Sequence, residues 1–253
     1  MSRRITLETA DGIARIILDN AENRNAIDLD FCEQFAAAAI ECAADSSLRA
    51  ILIEARGVFF SVGGDLAAFL AHEAEIEHYL LKCTSLFHAA IRHLAQMPVP
   101  VVIALNGMAA GGGFSLVCSG DLVIAKRSAR LNSGYTRSGL TPDGGGTFLL
   151  PRIVGWQRAF AIMALNETLS ADDACAMGIV TKVVDDESFE EEVEALLEAL
   201  RRAIPGALGG LKRLMRDGAE RSFSEQLDAE AFALAHRGAQ PVTLTRLREF
   251  LKR

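Results

Sequence analysis

The chain has 253 residues, half of them apolar and 23% charged, enough to bury a full core as one large α/β domain or as a domain with a helical appendage. Its 26 basic and 33 acidic residues leave a net charge of -7. That argues against a broad nucleic-acid face while leaving room for local cations against a phosphate-bearing ligand. Cys32, Cys42, Cys83, Cys118 and Cys175 are odd in number and free of CxxC spacing. They speak against a disulfide framework or a structural zinc site and for a reducing, cytoplasmic setting. Met1-Ser2-Arg3-Arg4 leads straight into alternating Ile5-Thr6-Leu7-Glu8. No apolar leader is expected, and no segment is as long as a membrane span.

Two alternating segments, Ile5 to Glu8 and Ile13 to Leu18, flank Asp11-Gly12 and predict an antiparallel hairpin. Asp28-Leu29-Asp30 opens a helix through Phe31 to Ala44, and Ala50 to Ala55 reads as a buried strand. The alternation repeats. Ile76 to Gln96 is a long helix stopped by Pro98 and Pro100, Val101 to Leu105 a strand, Gly112 to Cys118 a short helix, and Asp121 to Ala125 another strand. Ala67 to Tyr79 is rich in Ala, His and Glu and reads as a mobile segment that shapes a pocket. After Val183-Val184 the strand signals stop. Phe189 to Arg202, Pro205 to Arg216, Ser222 to His236 and Thr243 to Lys252 all have helical period. With no Ser/Pro-rich linker before it, this helical part is expected to pack on the core or on a neighbouring subunit.

Three glycine loops carry the chemistry: Ser61-Val62-Gly63-Gly64-Asp65-Leu66, Gly111-Gly112-Gly113 and Asp143-Gly144-Gly145-Gly146. In the first two a strand passes through glycine into a helix, where backbone N–H groups are free and the helix dipole favours negative charge. Two such donors converging on one oxygen form an oxyanion hole, worth roughly 2.7 to 4 kcal/mol per donor in the transition state. For the Gly-Gly-Asp loop alone, a tight turn with Asp65 as helix cap explains the residues equally simply. Asp143 likewise has two readings: cap of a helix starting at Gly144, or a general acid and base whose pKa partial burial would raise.

These motifs resemble the crotonase, or enoyl-CoA hydratase/isomerase, superfamily. The resemblance runs from Arg24-Asn25-Ala26, through Phe60 to Leu66, Asn106-Gly107 and Gly113, to Pro142 to Thr147 and Leu150 to Gly155. It implies an α/β fold, a spiral of strand-strand-helix units over residues 1–190, with a helical C-terminal trimerisation region over 191–253. It also implies an acyl-CoA thioester substrate whose carbonyl oxygen accepts from Gly64 and Gly112. No metal is expected, and no cofactor beyond the CoA moiety of the substrate. Arg24 matches a position near the CoA phosphates. The Val62 and Leu66 main chain matches the adenine-binding segment, Ala26 and Asp65 stand beside them as substrate-binding positions, and Ser115 and Tyr135 match the acyl pocket. Phe250 and Lys252 resemble terminal residues that reach CoA across a subunit boundary, in a homotrimer or a hexamer. Trp156 is expected as a packing anchor, and His88 and His93 as solvated or core histidines.

Hydratases of the superfamily carry two glutamates that position and activate water; here the matching positions read Ser115 and Tyr135. A serine is no general base near neutral pH, and a phenol has a pKa of about 10. What remains is Asp143, in a Pro-Asp-Gly-Gly-Gly-Thr sequence that resembles proton-shuttling isomerases, including the isomerase of the phenylacetyl-CoA pathway. The leading expectation is therefore an acyl-CoA isomerase that moves a double bond through a dienolate. The alternatives are a hydratase-like enzyme, an aryl-CoA dehalogenase with Asp143 as nucleophile and a histidine facing the pocket to activate water, and a non-catalytic acyl-CoA binder. RNA binding is disfavoured by the acidic balance and by the absence of lysine from Phe31 to Ala44.

Overall fold

The computed structural model describes residues 2–252, so the first residue of the expected 1–190 segment and the last of the expected 191–253 segment lie outside the described residues. β1 (Ile5–Ala10) and β2 (Ile13–Leu18) form the expected hairpin, with Asp11 and Gly12 both at positive φ in its two-residue turn. α1 (Leu29–Ala44) starts at Asp28, whose carboxylate accepts from Phe31 N at 2.8 Å. Three units then follow one pattern. β3 (Ala50–Ala55), β4 (Phe59–Ser61), α2 (Leu66–Ala71) and α3 (Ile76–Gln96) make the first, and β5 (Val101–Leu105), β6 (Met108–Ala110) and α4 (Gly112–Cys118) the second. The third is β7 (Leu122–Lys126), β8 (Arg130–Asn132), α5 (Gly146–Val154) and α6 (Trp156–Leu165). β9 (Leu169–Ser170), α7 (Ala171–Ala176) and β10 (Lys182–Val184) close the sheets. The tail is α8 (Phe189–Arg201), α9 (Ala207–Gly218), α10 (Phe223–Gly238) and α11 (Pro241–Phe250).

The first strand of each unit joins a six-stranded sheet of order β1-β2-β3-β5-β7-β10, parallel except for β1. The second joins a four-stranded sheet of order β4-β6-β8-β9. Each unit therefore steps from one sheet to the other before its helix returns, which is the expected spiral of strand-strand-helix units.

Period-2 alternation divides the large sheet between two cores. Ile51, Ile53, Val101, Ile103 and Leu105 face α1, α3 and α4, where Phe31, Phe35 and Phe87 pack with ring centroids 5.7 to 6.4 Å apart. The alternate residues Ala50, Leu52, Val102, Ala104 and Ile124 face α8 and meet its Phe189, Val193 and Leu197. Each of these α8 side chains contributes roughly 1.5 to 3 kcal/mol by leaving water, so the first tail helix is fastened to the second face of the sheet.

Several boundaries differ from those read in the sequence. The segment expected to be mobile is helical: Asp65 caps α2 by accepting from Ala68 N at 3.0 Å, and a turn at Glu73–Glu75 leads into α3. α11 begins at Pro241 rather than Thr243, because a ring with fixed φ and no N–H suits the first helical position. Trp156 is 72% exposed, so it is no packing anchor within this chain. No helix among the described residues is long and apolar enough to cross a membrane.

Candidate active site

The ends of β4 and β6 bring two glycine loops into contact. Gly63 has φ 84°, and a Cβ there would sit 2.7 Å from Ala110 O and 3.1 Å from Gly112 N. Only glycine combines that conformation with that approach. Gly112 is the first residue of α4, where N–H groups lack an intrahelical acceptor. The N–H groups of Gly64 and Gly112 have no hydrogen-bond partner among the described residues, and both glycines line one cavity of about 320 Å³. Its walls are mostly apolar, with Ile27, Leu66, Phe69, Leu80, Phe87 and Leu140 among them. Asp143 is the one acidic residue on them.

Asp143 caps no helix. α5 begins at Gly146 with Gly145 as its N-cap, and only the Asp143 backbone takes part, its O accepting from Gly146 N at 3.1 Å. The carboxylate has two close neighbours and is held by one of them. The Tyr135 phenol donates to Oδ1 at 2.5 Å, and His88 Nε2 lies 3.5 Å from Oδ2. Burial, and then the charge of Asp143, push the Tyr135 phenol above its ordinary range, so it stays a proton donor throughout the usual working pH. His88 Nε2 accepts from Gly144 N at 3.0 Å, and a neutral ring accepting there carries its hydrogen on Nδ1.

Ser115 stands behind this arrangement. It is fully buried on α4, with Oγ 3.1 Å from the Tyr135 oxygen. A Cβ at Gly144 would lie 2.9 Å from Ser115 Cβ, and one at Gly146 2.7 Å from Ser115 Oγ. The second glycine run thus packs directly on Ser115, leaving no room at position 115 for a glutamate without moving the loop that carries Asp143.

Of the residues singled out in the sequence, Gly64, Gly112, Asp143, Val62, Leu66 and Tyr135 meet on the cavity. The others do not line it. Arg24 closes a turn in the left-handed region at φ 53° with its guanidinium 5.5 Å over the Phe59 ring. Ala26 is buried, and the Asp65 carboxylate is engaged by Ala68 N and Asn23 Nδ2. Ser115 acts through Tyr135 rather than on the wall. The His88 side chain is partly solvated, as expected, and also stands beside Asp143. Sequence reading passed over Cys32, Cys83 and Thr84, which also line the cavity. The signal was the stripe Leu80, Cys83, Thr84, Phe87 on α3, where small polar side chains interrupt an apolar face at helical spacing.

The chain is similar to known proteins over most of its length. The family model described as enoyl-CoA hydratase/isomerase matches residues 8–245. The 1,2-epoxyphenylacetyl-CoA isomerase of Escherichia coli is 32% identical over 220 residues, covering 87% of this chain and 84% of the relative. A 4-chlorobenzoyl coenzyme A dehalogenase of Arthrobacter is 30% identical over 228 residues, covering 89% of this chain and 82% of the relative. The crystal structure of an enoyl-CoA hydratase from Polaromonas superposes with a TM-score of 0.93 at 27% identity, over 98% of this chain and 96% of that one. By fold, by motif order and by similarity over most of its length, this chain belongs to the enoyl-CoA hydratase/isomerase, or crotonase, superfamily.

Proposed function

We propose that the protein is an acyl-CoA isomerase that moves a carbon–carbon double bond by proton transfer through Asp143. The observation that carries this reading is a single carboxylate on an apolar cavity whose wall also presents two unpartnered backbone N–H groups, Gly64 and Gly112. The thioester oxygen accepts from those two groups, which acidifies the neighbouring carbon. Asp143 takes the proton, the electron pair spreads into a dienolate, and the same carboxyl returns the proton at the other end. Nothing is added or lost, so one carboxylate suffices. Tyr135 fixes Oδ1 and leaves Oδ2 toward His88. Hydration is disfavoured because Ser115 and Tyr135 stand where the family's two glutamates would, with the glycine run packed against Ser115.

One observation favours a second reading, in which Asp143 displaces halide from a halogenated aryl-CoA ring and His88 activates the water that hydrolyses the resulting aryl ester: His88 lies 3.5 Å from Oδ2. Against it, the Nε2 lone pair is engaged by Gly144 N, and the ring does not line the cavity. A homotrimer or hexamer belongs to the proposal through family resemblance, and light scattering in solution tests it.

The discriminating experiment is a panel of enoyl-CoAs differing in chain length and double-bond position, followed by the ultraviolet absorbance of the conjugated thioester. Isomerisation of at least one member is expected. Turnover confined to halogenated aryl-CoAs, with ¹⁸O from labelled water appearing in Asp143 after one turnover, would replace this reading by the second. Absence of any α-proton exchange in deuterated water across the panel would leave only a binder.

A further inference from the structure

Proton transfer through Asp143 leaves open how that carboxyl meets water once an acyl group fills the cavity. On the Oδ1 side the path is closed. The Tyr135 phenol commits its hydrogen to Oδ1, so Ser115 Oγ is the donor in its 3.1 Å contact with the phenol oxygen, and the chain ends there in a fully buried hydroxyl. The Oδ2 side is different. His88 Nε2 stands 3.5 Å from Oδ2, and the His88 side chain is 41% exposed against 26% for Asp143. The ring sits outside the cavity, on α3 next to Phe87, which lines it. An occupied cavity therefore covers Asp143 on that face and leaves His88 in water.

We propose that His88 is the port through which Asp143 exchanges its proton with solvent, an inference that rests on the isomerase reading above. Because Tyr135 already donates to Oδ1, the proton taken from the acyl chain goes to Oδ2, the oxygen that faces His88. Oδ2–H is then a donor, and closing the 3.5 Å separation by a few tenths of an ångström lets it replace Gly144 N as the partner of Nε2. The proton passes from Oδ2 to Nε2 while Nδ1 releases its own hydrogen to water, so the carboxylate is restored and the ring stays neutral. Return runs in reverse: Nδ1 takes a hydrogen from water, Nε2 gives its own to Oδ2, and the ring again accepts from Gly144 N. One cycle swaps the substrate's hydrogen for one from solvent, with nothing consumed. His88 thus sets the share of turnovers that make this swap rather than returning the same proton.

Isomerisation of α-deuterated 3-hexenoyl-CoA and 3-decenoyl-CoA in ordinary water tests this, with the conjugated product read by nuclear magnetic resonance. Deuterium at its γ-carbon marks direct return, and hydrogen there marks exchange. Wild type is expected to give both products. His88→Gln keeps an acceptor for Gly144 N but cannot relay a proton, and its ratio of exchanged to returned product is expected to fall about tenfold. In His88→Ala the ratio is also expected to be low, and added imidazole to restore it, which a purely structural histidine does not explain. An unchanged ratio in His88→Gln, no effect of imidazole on His88→Ala, or complete deuterium return by wild type overturns the proposal. So does a His88→Gln protein with native circular dichroism and no turnover, since the histidine then serves the isomerisation itself. Conversion of neither thioester by wild type, or conversion by Asp143→Asn as fast as by wild type, is instead a failure of the isomerase reading, and this inference falls with it.

Discussion

The two triple-glycine runs look alike in sequence and differ in what happens to their N–H groups. At the first, the Gly111 N–H is taken by Asn132 O, at 3.1 Å, and that of Gly112 is left unpartnered at the head of α4. At the second, Gly144 N donates to His88 and Gly146 N to the Asp143 backbone. A glycine run before a helix therefore does not by itself make an anion site. Free donors do, and the second run uses its donors to tie down the loop that carries Asp143 instead. One side of the cavity offers backbone polarity, and the other a single titratable side chain.

Separate substitutions break each side. Asp143→Asn is expected to have the largest effect, lowering kcat by 10² to 10⁴, the usual range for a general acid and base, with CoA-ester binding by calorimetry unchanged. Gly112→Pro comes next. Proline is tolerated at a first helical position and removes the N–H, its ring requiring the end of the Ile27 side chain, 2.7 Å from a Cβ at this position, to shift; kcat is expected to fall roughly 10² to 10³, the range for a lost oxyanion donor. Circular dichroism should show the helix retained. Ser115→Glu sharpens the contrast from another direction: it forces a carboxylate against Gly144 and Gly146 and is expected to cost about 1 to 3 kcal/mol of stability in urea unfolding, without creating hydration of crotonyl-CoA.

Tyr135→Phe is expected to act more mildly. Removing the donor from Oδ1 leaves the Asp143 carboxylate free to turn, so kcat should fall about tenfold, matching a charge-assisted hydrogen bond of roughly 1.5 kcal/mol, with KM little changed. An unchanged kcat with raised KM would make Tyr135 a wall residue only.

Much of this was legible in the sequence where periodicity is long or turn chemistry strict. The Asp11-Gly12 hairpin and the 76–96 helix fell where read, since six-residue alternation and a helical stripe of about six turns leave little choice of register. The small sheet was hidden, apart from the strand end at Phe59 to Ser61, because β4, β6, β8 and β9 have only two or three residues each, too few for alternation to register. Asp143, Gly64 and Gly112 were found through motif order, whereas His88 was not assigned to Asp143. Nothing in the period of α3 reveals that a loop 56 residues later lays Gly144 N on its imidazole. The same limit hid the packing role of Ser115, which the sequence placed at the acyl pocket and whose smallness is needed by glycines from another unit.

The central claim, that Asp143 alone moves the proton, is tested most directly by nuclear magnetic resonance of an enoyl-CoA in deuterated water with wild type and Asp143→Asn. The account predicts that wild type exchanges the α- or γ-protons and that the variant does so at least 10² more slowly while still binding the thioester. Exchange by Asp143→Asn at the wild-type rate would contradict it.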